Sequence, residues 1–323
     1  MLFDEQISRK PNLYPWVQDY ISSMWGGHWT PNEFNFSSDV QQFKTELGKN
    51  EQEIIKRTLS AIGQIEVAVK KFWARLGDNL PHPSMSDLGY VMASIEVTHN
   101  IAYEKLLTVL GLEDIFEENL KLDIISGRVK YLKKYNEKIY SDKKKQYVYA
   151  LILFTLFVEN VSLFSQFYVI LWFGRFKSVL KDVNQQVNYT LKEELIHALT
   201  GIKIINTLRE EYPDLFDEDL KKIVLHEADE ALKAESKIID WMVGDFNEPR
   251  MNKKILKEYV KYKLNDSLSQ IGYGSPYNID PDLRRDFEWM IEETLANNMT
   301  DFFHKRPVNY VKKSESFDQS ELF

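Results

Sequence analysis

The 323-residue chain sets 41 Lys and Arg against 49 Asp and Glu, and this net charge of -8 offers no basic surface to nucleic-acid phosphates. It contains no cysteine, which excludes disulfides, thiolate metal ligands and thiol redox chemistry by this chain, so a reaction needing thiols must draw them from another chain. The 44% apolar content supplies the core of one large, mostly helical domain, and the start Met1-Leu2-Phe3-Asp4-Glu5 has neither the basic nor the apolar part of a secretion signal, so a cytoplasmic enzyme is expected.

No proline lies between Ser84 and Tyr212, so long helices can run through the middle of the chain. The first predicted helix, about 50–76, carries Glu66 on an otherwise apolar side. After the connection Asn79-Leu80-Pro81-His82-Pro83, the second, about 85–110, holds Glu96-Val97-Thr98-His99. An accessory helix is expected near 114–139. The third long helix, about 143–172, opens with the solvated run Lys143-Lys144-Lys145 and buries Glu159 in the apolar stretch Tyr147 to Gly174. The fourth, about 178–211, holds Glu194-Leu195-Ile196-His197. Accessory helices follow near 216–243, 252–270 and 281–298, with Gly272-Tyr273-Gly274-Ser275-Pro276 as a connection.

The two Glu-x-x-His pairs are the most informative pattern. Residues three apart share a helix face, so each pair can hold one metal ion from one direction. Glu66 and Glu159 would complete the cage, giving the order Glu, ExxH, Glu, ExxH along the chain. Four carboxylates and two neutral imidazoles carry minus four, which two divalent ions neutralise. Glu159 is telling because an unpaired charge in so apolar a run is costly to bury. Asn160 and Gln166 interrupt that run and no basic flanks frame it, which argues against a membrane span. The alternative is a core helix whose Glu pairs with a Lys. The other histidines lack such partners: His28 and His82 sit in loop-like sequence, His226 follows an apolar face, and His304 near the tail reads as a solvated or interface residue.

These residues resemble the small, radical-generating subunit of class I ribonucleotide reductase. The similarity runs from Trp29-Thr30-Pro31-Asn32-Glu33 to Phe302-Phe303-His304-Lys305-Arg306-Pro307-Val308-Asn309-Tyr310. It implies an all-α, ferritin-like helical bundle with accessory helices, occupying 1–305, and a C-terminal tail, 306–323, that docks to a separate large catalytic subunit. It implies a dinuclear metal centre held by Glu66, Glu96, His99, Glu159, Glu194 and His197, and a homodimer. It also implies a radical route: Tyr103 as the radical tyrosine, Trp29 as the relay tryptophan, Glu193 as the acid joining His99 to Trp29, and Tyr310 as the tail tyrosine. The reaction would be reduction of ribonucleoside diphosphates or triphosphates to the deoxyribonucleotides that DNA replication consumes.

The chain departs from the familiar diiron-tyrosyl pattern. Glu66 stands where many members have Asp, Glu193 is one methylene longer than the usual Asp, Lys70 lies one turn after Glu66, and Leu163, Phe167 and Thr190 would line the pocket of Tyr103. These features favour a dimanganese centre activated by superoxide, in which the metal pair stores the oxidising equivalent, over two irons or a mixed manganese–iron pair. Carboxylate-rich sites accept either metal. The rival functions are a dimetal oxidase or oxygenase acting on a bound hydrocarbon or lipid, and a ferritin-like iron store. The polar tail with Phe317 and Phe323 as apolar anchors suits docking to a partner better than either.

Overall fold

The computed structural model describes residues 1–303, excepting the side chains of 66–68 and 296–303. The elements in chain order are α1 (Trp16–Gly27), α2 (Ser37–Thr45), α3 (Lys49–Ala74), α4 (Leu76–Asn79), α5 (Pro83–Leu110), α6 (Glu113–Leu120), α7 (Asp123–Leu132), α8 (Lys143–Leu153), a π segment (Phe154–Ser162), α9 (Phe164–Trp172), a second π turn (Phe173–Lys177), α10 (Lys181–Glu211), α11 (Glu218–Val243), α12 (Lys253–Gln270) and α13 (Pro281–Phe303). No strand occurs among the described residues. The all-α bundle with accessory helices is therefore the fold, and α3, α5, the α8–π–α9 rod and α10 are the helices expected to carry ligands.

Local chemistry sets the helix ends. Pro83 occupies the first turn of α5, where its missing N–H is no loss, and the His82 ring accepts the Ser84 amide at 3.2 Å. His82 thus lies in the connection before α5, as its sequence suggests, and there it is a buried cap. Asp142 accepts the Lys145 amide at the start of α8, Asp217 caps α11 and Asn252 caps α12. The basic run Lys143-Lys144-Lys145 does open a helix, and Lys145 pairs with Asp217 at 2.7 Å.

Three expectations need correction. The accessory helix at 114–139 is broken into α6, α7 and the 3-10 turn Lys134–Asn136. The helices α1 and α2 were not foreseen. The third long helix is not α throughout, because Glu159 lies in the π segment.

The run Lys143–Lys177 is long and apolar enough to cross a membrane, yet 94% of its most apolar window is buried inside the fold. It is the central rod of the bundle. Neighbouring helices approach it closely where glycine allows: a Cβ on Gly201 of α10 would lie 2.3 Å from Thr155 Oγ1 of the π segment. Likewise a Cβ on Gly89 of α5 would lie 2.4 Å from the Trp73 carbonyl of α3. Both contacts draw ligand-bearing helices together near the cage.

Candidate metal centre

Each ligand-bearing helix turns an acid or imidazole into the apolar interior. Glu96 and His99 from α5, Glu159 from the π segment, and Glu194 and His197 from α10 are all buried. Ligand atoms of Glu96, Glu159, Glu194 and His197 lie within 4.8 Å of one another. His99 joins them through Nδ1, 3.3 Å from Glu96 Oε2 and 3.1 Å from Glu194 Oε1. On the other side, His197 Nδ1 lies 2.8 Å from Glu96 Oε1, 3.6 Å from Glu194 Oε2 and 3.7 Å from Glu159 Oε2. Glu96 and Glu194 therefore each present one oxygen to each histidine, an arrangement suited to bridging two ions. The Glu66 backbone belongs to α3, but its side chain lies outside the described residues.

The donor set fits metal. Both oxygens of Glu96 and of Glu194, Glu159 Oε2 and both ring nitrogens of His197 are buried with no hydrogen-bond partner among the described residues. Such a cluster of unsatisfied lone pairs is what a pair of cations would resolve. The protonation pattern agrees. Burial pushes His99 down, but carboxylates, Glu193 foremost, hold it well above the ordinary histidine range. Burial likewise pushes His197 down, and the charge of Glu96, with the carboxylates of Glu159 and Glu194 close by, carries it well above. Burial, and then the charge of Glu194, raises Glu159 well above the carboxylate range. Burial would raise Glu194 too, but the neighbouring His197 and His99 imidazoles bring it below the ordinary carboxylate range. Because metal ligands must be deprotonated, binding at these groups should release protons and weaken as pH falls.

Outside the cage, His99 Nε2 lies 2.7 Å from Glu193 Oε2, and Trp29 Nε1 donates to the same oxygen at 2.8 Å. The Trp29 ring lies nearly parallel to His99, with centroids 6.2 Å apart. Glu193 fixes the hydrogen on Nε2 and leaves the Nδ1 lone pair for the cage. The Trp29 segment is itself pinned: Thr30 N–H donates to Glu33 at 2.9 Å, and Lys105 of α5 donates to the Pro31 carbonyl at 2.7 Å. Tyr103 is buried on α5, one turn beyond His99, and Leu163, Phe167 and Thr190 are buried as well. The Thr190 hydroxyl donates to the Gln186 carbonyl of its own helix at 3.2 Å. Lys70 donates to Asn100 at 3.3 Å. Tyr310, His304, Phe317 and Phe323 lie outside the described residues, while His28 and His226 are exposed.

Sequence reasoning missed two neighbours of the cage. Trp73 Nε1 donates to Glu159 Oε1 at 2.7 Å. Its position seven residues after Glu66, two turns along the same helix face, was the available signal. Lys263 of α12 is buried, its ammonium 3.8 Å from the Phe164 ring centre. It donates to Asn160, the chain neighbour of Glu159, at 2.7 Å.

Comparison with known proteins places this geometry. The family model for the ribonucleotide reductase small chain matches residues 6–284. The ribonucleoside-diphosphate reductase subunit beta of Halalkalibacterium halodurans is 24% identical over 315 residues, covering 96% of this chain and 90% of that one. Among solved structures, a candidate class I ribonucleotide reductase from Bacillus halodurans is similar with TM-score 0.77 and 24% identity, over 86% of this chain and 99% of that one. An R2-like ligand-binding oxidase carrying a Mn/Fe cofactor is similar with TM-score 0.69 and 18% identity, over 82% and 96% of the two chains.

Proposed function

The chain belongs to the ribonucleotide reductase small-chain family, and from that premise we propose that its buried cage holds the metal pair that starts ribonucleotide reduction in a separate large subunit. It is an oxidoreductase subunit whose metal pair, when bound, supplies a one-electron oxidising equivalent. The continuous contact His99–Glu193–Trp29 carries the reading, because it gives that equivalent a way out of a buried cage. A hydrocarbon oxidase would need ligands and a substrate cavity but no such relay.

The proposed ligands are Glu66, Glu96, His99, Glu159, Glu194 and His197. Glu159 stands beside His197, so the His99 side still wants a carboxylate of its own, and Glu66 on α3 is the residue proposed for it. In the relay, Trp29 gives up an electron toward the cage while its indole proton moves to Glu193 Oε2, the atom it already bonds. Both return when an electron arrives from Tyr310, which the tail 306–323 would bring to the large subunit. The cysteine that ultimately supplies the electron must belong to that subunit, since this chain has none.

Manganese is the proposed native metal, with superoxide as oxidant and the metal pair as store of the equivalent. The proposed assembly is a cytoplasmic homodimer. Tyr90, Val97 and Ile101 on α5 support dimerisation, being apolar, exposed by 44–63% and spaced along one face of a ligand-bearing helix. The deciding experiment is metal analysis with electron paramagnetic resonance on protein from its own host, together with deoxyribonucleotide formation when the large subunit is added. A multiline manganese signal with turnover supports the reading, and a tyrosyl doublet on an iron pair returns Tyr103 to the radical role. Tyr310→Phe should bind the large subunit normally and stop turnover; full turnover would sink the relay.

A further inference from the structure

We propose that Arg128 and Glu235, on helices that carry no ligand, act as a positioning pair that holds the end of the π segment and so places Glu159 in the cage. The proposal rests on the metal-centre reading above. Arg128 of α7 and Glu235 of α11 are both fully buried and meet through both carboxylate oxygens, at 3.0 Å from Nε and 3.3 Å from Nη2. Nη1 donates to the Ala61 carbonyl of α3 at 3.0 Å, and Nη2, shared with Glu235, also reaches Gln166 Oε1 of α9 at 3.0 Å and the Ser162 carbonyl.

The last contact identifies the purpose. Ser162 ends the π segment, three residues after Glu159. In an uninterrupted α-helix its carbonyl would accept the Gln166 amide, but that amide donates to Leu163 O at 3.1 Å, and the Phe167 amide also goes to Leu163 O at 3.0 Å. The change from π to α pairing thus takes both nearby amides away from Ser162 O. A buried carbonyl so released is unfavourable unless another donor meets it, and Arg128 is that donor. The same guanidinium holds Ala61, five residues before Glu66. One buried cation therefore ties together the two helices whose carboxylates would serve opposite sides of the cage, and Glu235 neutralises it.

A salt bridge serving stability alone is separable from a positioning pair, because a buried ion pair can be replaced by apolar residues without loss of stability. The test uses the full-length chain, with Co(II) alone as probe and its ligand-field spectrum, binding titration and thermal unfolding as readouts. Wild type must first bind two Co(II) per chain; failure there overturns the metal-pair reading itself. In Arg128→Met with Glu235→Met, the unfolding temperature of the metal-free protein should fall only modestly, because the Ser162 carbonyl and Gln166 lose their donor while the cost of burying two charges is removed. Co(II) affinity should fall on the order of 10- to 100-fold, as for other groups that orient ligands, with a changed spectrum. Arg128→Lys keeps the charge balance but not the fork, and should show a smaller change in the same direction. Wild-type affinity and spectrum in the folded double variant would overturn the proposal. Should that variant fail to fold, Arg128→Lys decides: a wild-type Co(II) spectrum and affinity overturns the proposal, and a shifted spectrum with weakened binding supports it.

Discussion

Replacing Trp73 by Phe tests whether the cage is tuned from outside its ligands. The phenyl ring keeps most of the packing against Phe72 and Phe154. What is lost is the indole N–H that donates to Glu159 Oε1 at 2.7 Å inside a fully buried site. Two effects follow and can be measured apart. Removing roughly 40 Å³ of side chain leaves a gap worth about 1 kcal/mol, which destabilises metal-free and metal-loaded protein alike and so does not alter affinity. Stranding a buried carboxylate oxygen costs about 1–3 kcal/mol, and because it disfavours the ionised Glu159 it falls on metal binding, giving a loss on the order of 5- to 100-fold. Burial already holds Glu159 above the ordinary carboxylate range, and losing a donor to the anion raises it further. Protons therefore compete harder with metal, and the deficit should widen as pH falls. The assay is Mn(II) titration followed by the resonance of the free ion, at mildly acidic and mildly alkaline pH, beside thermal unfolding of the metal-free protein. Unfolding shifted as expected, with Mn(II) affinity unchanged at both pH values, would refute the argument that Trp73 acts through Glu159.

Glu193→Gln should leave two metals bound, since Glu193 faces His99 from outside the cage, but lower turnover with the large subunit by at least about 100-fold, because an amide cannot take the Trp29 proton as a carboxylate does; equal turnover would remove Glu193 from the relay. Tyr103→Phe should retain substantial ribonucleotide reduction if the metal pair stores the equivalent, and complete loss with an intact centre would assign the radical to Tyr103. Lys263→Met should stabilise the protein at neutral pH by about 2 kcal/mol, the penalty of a buried ammonium less the bond to Asn160. Burial lowers Lys263 from 10.5 to about 8, so between those values the unfolded chain holds more protons and wild-type stability rises with pH. The advantage of the variant should therefore be constant below that window and shrink across it, and a difference independent of pH up to 10.5 would contradict the burial penalty.

The ligand helices were legible because two independent regularities coincide in them. Proline-free apolar periodicity located α3, α5 and α10 to within a few residues, and in α5 and α10 an acid and an imidazole three apart marked the face turned inward. The π segment was not legible: its pairing is decided by how the rod packs on α10 and by where Arg128 finds a carbonyl, and neither Phe154 nor Ser162 announces it. The roles of Trp73 and Lys263 are not local, because their partners, Glu159 and Asn160, are 86 and 103 positions away in the chain. The break between α6 and α7 was missed for a simpler reason. Lys121 and Leu122 carry no proline or glycine, yet the chain turns there so that Ile125 and Arg128 can be buried.

That Trp29 and His99 share one oxygen of Glu193 makes that atom an interlock. One oxygen takes both the His99 Nε2 contact at 2.7 Å and the Trp29 indole N–H at 2.8 Å, so neither ring can turn without disturbing the partner of the other. A displacement of His99 on the cage side therefore reaches the indole through one atom. The wall of the cage and the Trp29 segment are thus held in register by a single carboxylate, and a loss of register at either ring is felt at the other.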